Sequence, residues 1–247
     1  MATVTAGSAA RAGFRPSFHL VMSLVMATFV VIGFGLSYFI PMAQGTRPPD
    51  SPIVHLHGFA YFSWIALLVV QSALVNVKKV KLHRALGTFG IAVGTFTALM
   101  GLAIMFAAAS ITTLNEVAVR IYWLNVTAPL NFAVVFAMGI AVARTRPQVH
   151  RNLMLIATIG VLMPAINRVY MQGLGVEGVP FIATYLTMDV LLAATLWHER
   201  KTLGSISRWS LIAAAIVVGL QALNFPVSST PEWSQFVYWL GTFVEYH

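Results

Sequence analysis

The sequence contains no cysteine, which excludes disulfides, iron–sulfur clusters and thiol catalysis and leaves any metal to His, Asp, Glu, Met or backbone oxygen. Charge is nearly as scarce. Only 9% of the 247 residues are charged, against roughly 25% in an average soluble domain, too few to cover a water-facing surface. Acids are the rarer sign, seven Asp and Glu against fifteen Lys and Arg. There is no Gly-rich phosphate loop, no HExxH, no GxSxG and no pair of carboxylates on one helical face. Eleven methionines are scattered without a Met-x-x-Met cluster, which removes support for copper trafficking.

What is present is apolar sequence, 58% of the chain. It falls into stretches of about 20 residues, the length needed to cross roughly 30 Å of hydrocarbon. The predicted spans are His19 to Ile40, Val54 to Val75, His83 to Ala109, Val117 to Ala143, His150 to Met171, Phe181 to His198 and Trp209 to Leu223. Prolines, glycines and basic clusters separate them. The expected fold is therefore an all-α, polytopic membrane bundle of about seven transmembrane helices, with no room for a soluble domain.

The formal net charge of +8 points to topology rather than to nucleic acid. Assigning alternate loops to alternate sides puts Arg11, Arg15, Lys78, Lys79, Lys81, Arg84, Arg144, Arg146, Arg151, Arg200, Lys201 and Arg208 together, twelve of the fifteen basic residues. Arg47, Arg120 and Arg168 fall opposite. Cytoplasmic loops are enriched in Lys and Arg, so the expected orientation is N-terminus in and C-terminus out, in a plasma membrane of the bacterial inner-membrane kind. Residues 1–18 read as a retained cytoplasmic tail, because the first apolar run is too long for a signal peptide. Residues 19–224 are then the seven-helix domain and 225–247 an outer tail, whose aromatics predict an interfacial amphipathic helix over Glu232 to Tyr246, with a re-entrant segment as the rival reading.

Polar residues sort into two tiers. His19, His83, His150 and His198 lie near the inner surface on four different helices. Gly87, Gly90, Gly94 and Gly101 share the face of His83, and small residues admit a neighbouring helix, so His83 is expected to point inward. His150 and Arg168 are 18 residues apart, about five turns, and should share a face, with Pro164 kinking the helix between them. Imidazoles from separate helices suit a transition metal or a bis-His haem b. The preferred pair is His83 and His150, with Arg84 and Arg151 as anion partners; the bland alternative is histidines beside lipid headgroups. The outer tier comprises His57, Arg120, Asn131, Asn167, Arg168 and Asp189. Asp189 is the one acid expected well inside the hydrocarbon, with Arg168 its nearest plausible cation. This tier is equally readable as a structural clamp or as a cavity for substrate, quinone or proton.

Two segments echo each other: Lys81-Leu82-His83-Arg84-Ala85-Leu86 opens the third helix and Gln148-Val149-His150-Arg151-Asn152-Leu153 the fifth. Together with His55-Leu56-His57-Gly58, Trp64, Gln71, Gly87, Arg146-Pro147 and Met154, they resemble small uncharacterised bacterial multi-pass membrane-protein families, one relative of which is linked to terminal-oxidase assembly. More distantly the pattern is similar to the transmembrane b-type cytochromes. The resemblance implies His57, His83 and His150 as ligands, electron transfer or respiratory-oxidase assembly as function, and respiratory-complex or other membrane-protein partners. Departing from the di-haem pattern, the outer half has no second imidazole opposite His57, and His83 and His150 sit at helix starts. A binding or transport module and a purely structural subunit remain the alternatives, and no catalytic residue stands out.

Overall fold

In the computed structural model, residues 15–111 and 116–243 are described. Residues 1–14 of the expected 1–18 tail, and the last residues of the predicted interfacial helix, lie outside them. The described chain is helical throughout: α1 Phe18–Ala43, α2 Pro52–Asn76, α3 Val80–Ile111, α4 Glu116–Val142, α5 Pro147–Ile159, α6 Met163–Gly173, α7 Phe181–Leu203, α8 Arg208–Ser228 and α9 Pro231–Gly241. Six of these are long and apolar enough to cross a membrane, and α5 with α6 makes a seventh span if the pair, bent by 48°, is counted as one. The chain is an integral, multi-pass all-α bundle.

Its exterior is apolar, as lipid requires. Ile182, Leu186 and Val190, one turn apart on α7, are 69%, 59% and 67% exposed. Helix starts are set by local chemistry. Ser17, Ser207 and Thr230 accept hydrogen bonds from Leu20, Ser210 and Trp233 N–H groups, capping α1, α8 and α9. Ser17 N–H also donates to Asn76 Oδ1 at 2.6 Å, tying the start of α1 to the end of α2. The end of the bundle that holds Ser17, Asn76 and Ser207 is called the N-terminal face below.

α5 is the central pillar. Every residue from Asn152 to Ile159 is buried, because α1, α4, α7 and α8 surround it; a helix apolar all round is one enclosed on all sides. It breaks after Ile159, since Pro164 has no N–H to offer the Gly160 carbonyl a turn earlier. α6 then leans on α1 and ends in a wide π-helical turn, Val169–Gly173, beside the matching turn of α1, Gly35–Phe39. The break undoes the five-turn arithmetic: His150 faces Gly139 of α4, whereas Arg168 faces Phe34 of α1.

The glycine stripe on α3 works at two positions. A Cβ on Gly94 would strike the Phe136 ring, and one on Gly101 would come within 2.5 Å of the Tyr61 hydroxyl and of Pro129. α3 thus nests between α2 and α4, while Gly87 faces open space. α8 runs five residues beyond the predicted Leu223. α9 is not laid loosely on the surface: Trp233, Val237 and Leu240 are buried against α3, α4 and α8, and Trp233 Nε1 donates to Val119 O at 3.0 Å.

Candidate functional site

Breaking α5 from α6 leaves a cavity of about 990 Å³ in the half of the bundle away from the N-terminal face. Its floor lies near mid-bundle at Trp64, Thr158 and Asn131, and it reaches the surface beside Phe39, His55, Phe59 and Gln172, all exposed. Most of the wall is apolar or aromatic. The floor is firmly built: Trp64 Nε1 donates to Thr158 Oγ1 at 3.0 Å, and Thr158 Oγ1 donates onward to Met154 O at 2.8 Å. Asn131 is only 3% exposed, and its Oδ1 has no hydrogen-bond partner.

Four of the six residues expected in the outer tier line this cavity: His57, Asn131, Asn167 and Arg168. His57 Nδ1–H donates to Met100 O at 3.3 Å, which leaves Nε2 as an acceptor. Asn167 Oδ1 accepts from Thr184 Oγ1 at 2.5 Å, leaving its amide N–H groups to donate. Arg168 Nη1 donates to Pro164 O at 2.9 Å, and its guanidinium lies 4.5 Å from the centre of the Phe34 ring. At the rim Tyr38 is hydrogen-bonded to His55, and Arg47 donates to Asp50 at 2.7 and 2.8 Å. This pair lies in the loop after α1, where Arg47 holds the Asp50 carboxyl below its usual range and Asp50 raises Arg47 in turn.

The other two residues lie elsewhere. Arg120 sits over Phe225 and donates to Ser229 Oγ at 3.3 Å, bracing α4 against the end of α8. Asp189 does not meet Arg168; it faces Gln221 of α8, although Asp189 Oδ1 and Gln221 Nε2 are both buried without a well-formed hydrogen bond. Gln221 itself lines the cavity, as do Tyr61 and Tyr185, the latter accepting from Asn224 Nδ2 at 2.5 Å. A second acid is buried in the protein, toward the end of α7. Glu199 is fully buried, and its Oε1 accepts from Ser207 N–H at 3.0 Å. Its place in the buried stripe Met188, Leu192, Thr195, Glu199, spaced four, three and four, was the signal that its basic neighbours hid.

The inner histidines form two neighbouring pairs. His19 and His198 meet edge to face at 5.4 Å, and His19 Nε2–H donates to Asn152 Oδ1 at 2.8 Å. His83 lies in the neighbourhood of His150, Arg151 and Arg84. His150 Nδ1–H donates to Gly139 O at 2.9 Å, and His83 Nδ1 is buried without a partner. His57 belongs to neither pair: it bonds Met100, which lies 17 residues along α3 from His83, about 25 Å of helix. Among the described residues no group of three His, Cys, Asp or Glu could hold a metal ion, so the three-histidine set is not brought together. Comparison with known proteins adds no relative: no family model, no curated protein and no solved structure matches the chain.

Proposed function

We propose that this protein is a binding protein of the membrane that holds an amphipathic small molecule in the cavity at the α5–α6 break. The cavity itself carries this reading. At about 990 Å³ it sits at the upper end of small-molecule sites, which run to about 300–1,000 Å³ and pair apolar walls with a few converging polar groups. Broken helices at membrane depth are tolerated where they line such a space. Asn131 Oδ1, buried and unpartnered, is an acceptor for whatever fills the floor. The lining ends at the floor, so the geometry favours a pocket over a through-path. By the segregation of basic residues the cavity opens on the outer side of a plasma membrane.

Native mass spectrometry of the protein released from mild detergent tests this. The wild type should carry a small non-protein mass that Ala128→Phe, which fills the wall, excludes. A wild type that arrives empty, and whose melting temperature no amphiphile raises, would sink the proposal.

A second reading keeps His83 and His150 as ligands of a haem or metal ion, in keeping with the resemblance to b-type cytochromes and oxidase-assembly relatives. It is favoured by one observation, that each ring has a nitrogen uncommitted to protein. The cavity touches neither histidine, so the two sites are separable. A purified protein with no Soret band and no bound metal would exclude it.

A further inference from the structure

The charges on the cavity wall narrow the class of ligand. Two arginines line it, and only one has an acid. Arg47, at the rim, is held by Asp50, and that is the only salt bridge among the described residues. Arg168, in the wall, has no salt-bridge partner, and among the described residues no Asp or Glu lines the cavity.

A guanidinium keeps its proton in proteins and presents five N–H donors in a planar fork. One face of this fork rests on Phe34 and one N–H goes to Pro164 O, so its orientation is fixed while most of its donors remain for something else. Arg168 is half-buried, and a charge that a bound ligand seals from water needs both hydrogen bonds and an opposite charge. A neutral carbonyl or hydroxyl supplies the first and leaves the second unmet. A carboxylate or phosphate supplies both, and its paired oxygens match the fork. Phe62, Leu124 and Trp64 make much of the rest of the wall apolar, while Asn131 and Thr158 keep polar atoms at the floor. Arg168 and Thr158 are ten residues apart, roughly 15 Å along a straight helix and less across the 48° bend, which still leaves room for an alkyl chain below a head held at Arg168.

We propose that the ligand is an amphiphile with an anionic head, a carboxylate or a phosphate monoester, gripped by Arg168 with its chain directed toward Trp64. The assignment rests on the cavity-binding reading above. It can fail while that reading stands.

The experiment uses the full chain in phosphatidylcholine nanodiscs, titrated calorimetrically with dodecanoate, dodecyl phosphate and dodecanol against empty nanodiscs. At least one anion should bind about tenfold or more tighter than dodecanol, the scale of a charge-assisted hydrogen bond. Which anion wins separates a free fatty acid from a lipid phosphate as the source. Arg168→Gln should reduce that anion to the dodecanol level, whereas Arg47→Gln should not. Arg168→Lys, which keeps the charge without the fork, should keep the preference at weaker affinity, so the test is readable even if Arg168→Gln does not fold. Dodecanol binding as tightly as both anions, or an anion preference that survives Arg168→Gln, overturns the head-group assignment and leaves cavity binding intact. Failure of all three probes to bind overturns both.

Discussion

The Asn131 side-chain amide occupies the space that a Cβ on Gly160 would need, so the floor of the cavity and the hinge of the α5–α6 break are one packed unit. Gly160→Ala should therefore drive the amide out of place and lower stability by about 1–3 kcal/mol, the usual cost of overpacking. Asn131→Ser makes room but loses a buried amide. If the two residues are coupled, the double variant should melt above the sum of the single losses, by a margin a double-mutant cycle in detergent can read. Strict additivity would show that they do not share the space.

Gly33 and Gly87 make opposite predictions for the same substitution. A Cβ on Gly33 would collide with the Ala165 carbonyl oxygen, which is backbone and cannot rotate away, whereas one on Gly87 would meet nothing. Gly33→Ala should separate α1 from α6, widen the cavity mouth and destabilise the protein. Gly87→Ala should be neutral or stabilising by up to about 1 kcal/mol through helix propensity. Equal melting temperatures for the two variants would contradict the close approach of α1 and α6.

The number of spans was legible in the sequence because crossing a membrane demands only length and apolarity, which hydropathy measures directly. The break at Pro164 was legible for a similar reason: proline lacks a donor wherever it sits. Which polar groups meet was less so. Asn131, Asn167, Arg168 and His57 do share a cavity, but the expected Asp189–Arg168 pair does not form. Facing arithmetic holds along one straight helix; it says nothing of rotation between helices, and it failed across the break for His150 and Arg168. Tyr61, Tyr185 and Gln221 carried no signal in a single sequence, since a polar tip on an apolar helix reads the same whether it lines a cavity or clamps a neighbour. The burial of Glu199 was hidden by its exposed neighbours Arg200 and Lys201.

Trp233 anchors α9. It is 8% exposed, stacks at an angle on Trp123 with ring centres 5.1 Å apart, and donates to Val119 O. Trp233→Ala should remove a large buried side chain, costing about 3–5 kcal/mol at this contact. Since α9 is the last described helix, the loss should show first as protease access near Pro231, with the melting temperature of the bundle falling less. Unchanged cleavage in Trp233→Ala would mean that α9 is held by other contacts.

The Arg47–Asp50 pair at the cavity rim gives a pH dependence whose sign is fixed. Asp50 is held below the ordinary carboxylate value by its hydrogen bonds from Arg47. Its contribution to stability is therefore complete above the unfolded-state value, near 4 for Asp, and is lost as pH falls through the depressed value in the folded protein. The side chains are 32% and 19% exposed, so solvent screens the pair and the effect should be small, about 0.2–1 kcal/mol. Arg47 also donates to Ser37 O at 3.3 Å and lies 5.0 Å from the centre of the Tyr38 ring, so losing the pair loosens the loop over the cavity mouth. Melting temperatures measured from pH 7 downward should converge for wild type and Asp50→Asn only in acid, with the wild type higher at neutral pH. A constant offset between the two at every pH would mean that Asp50 acts through packing and not through its charge.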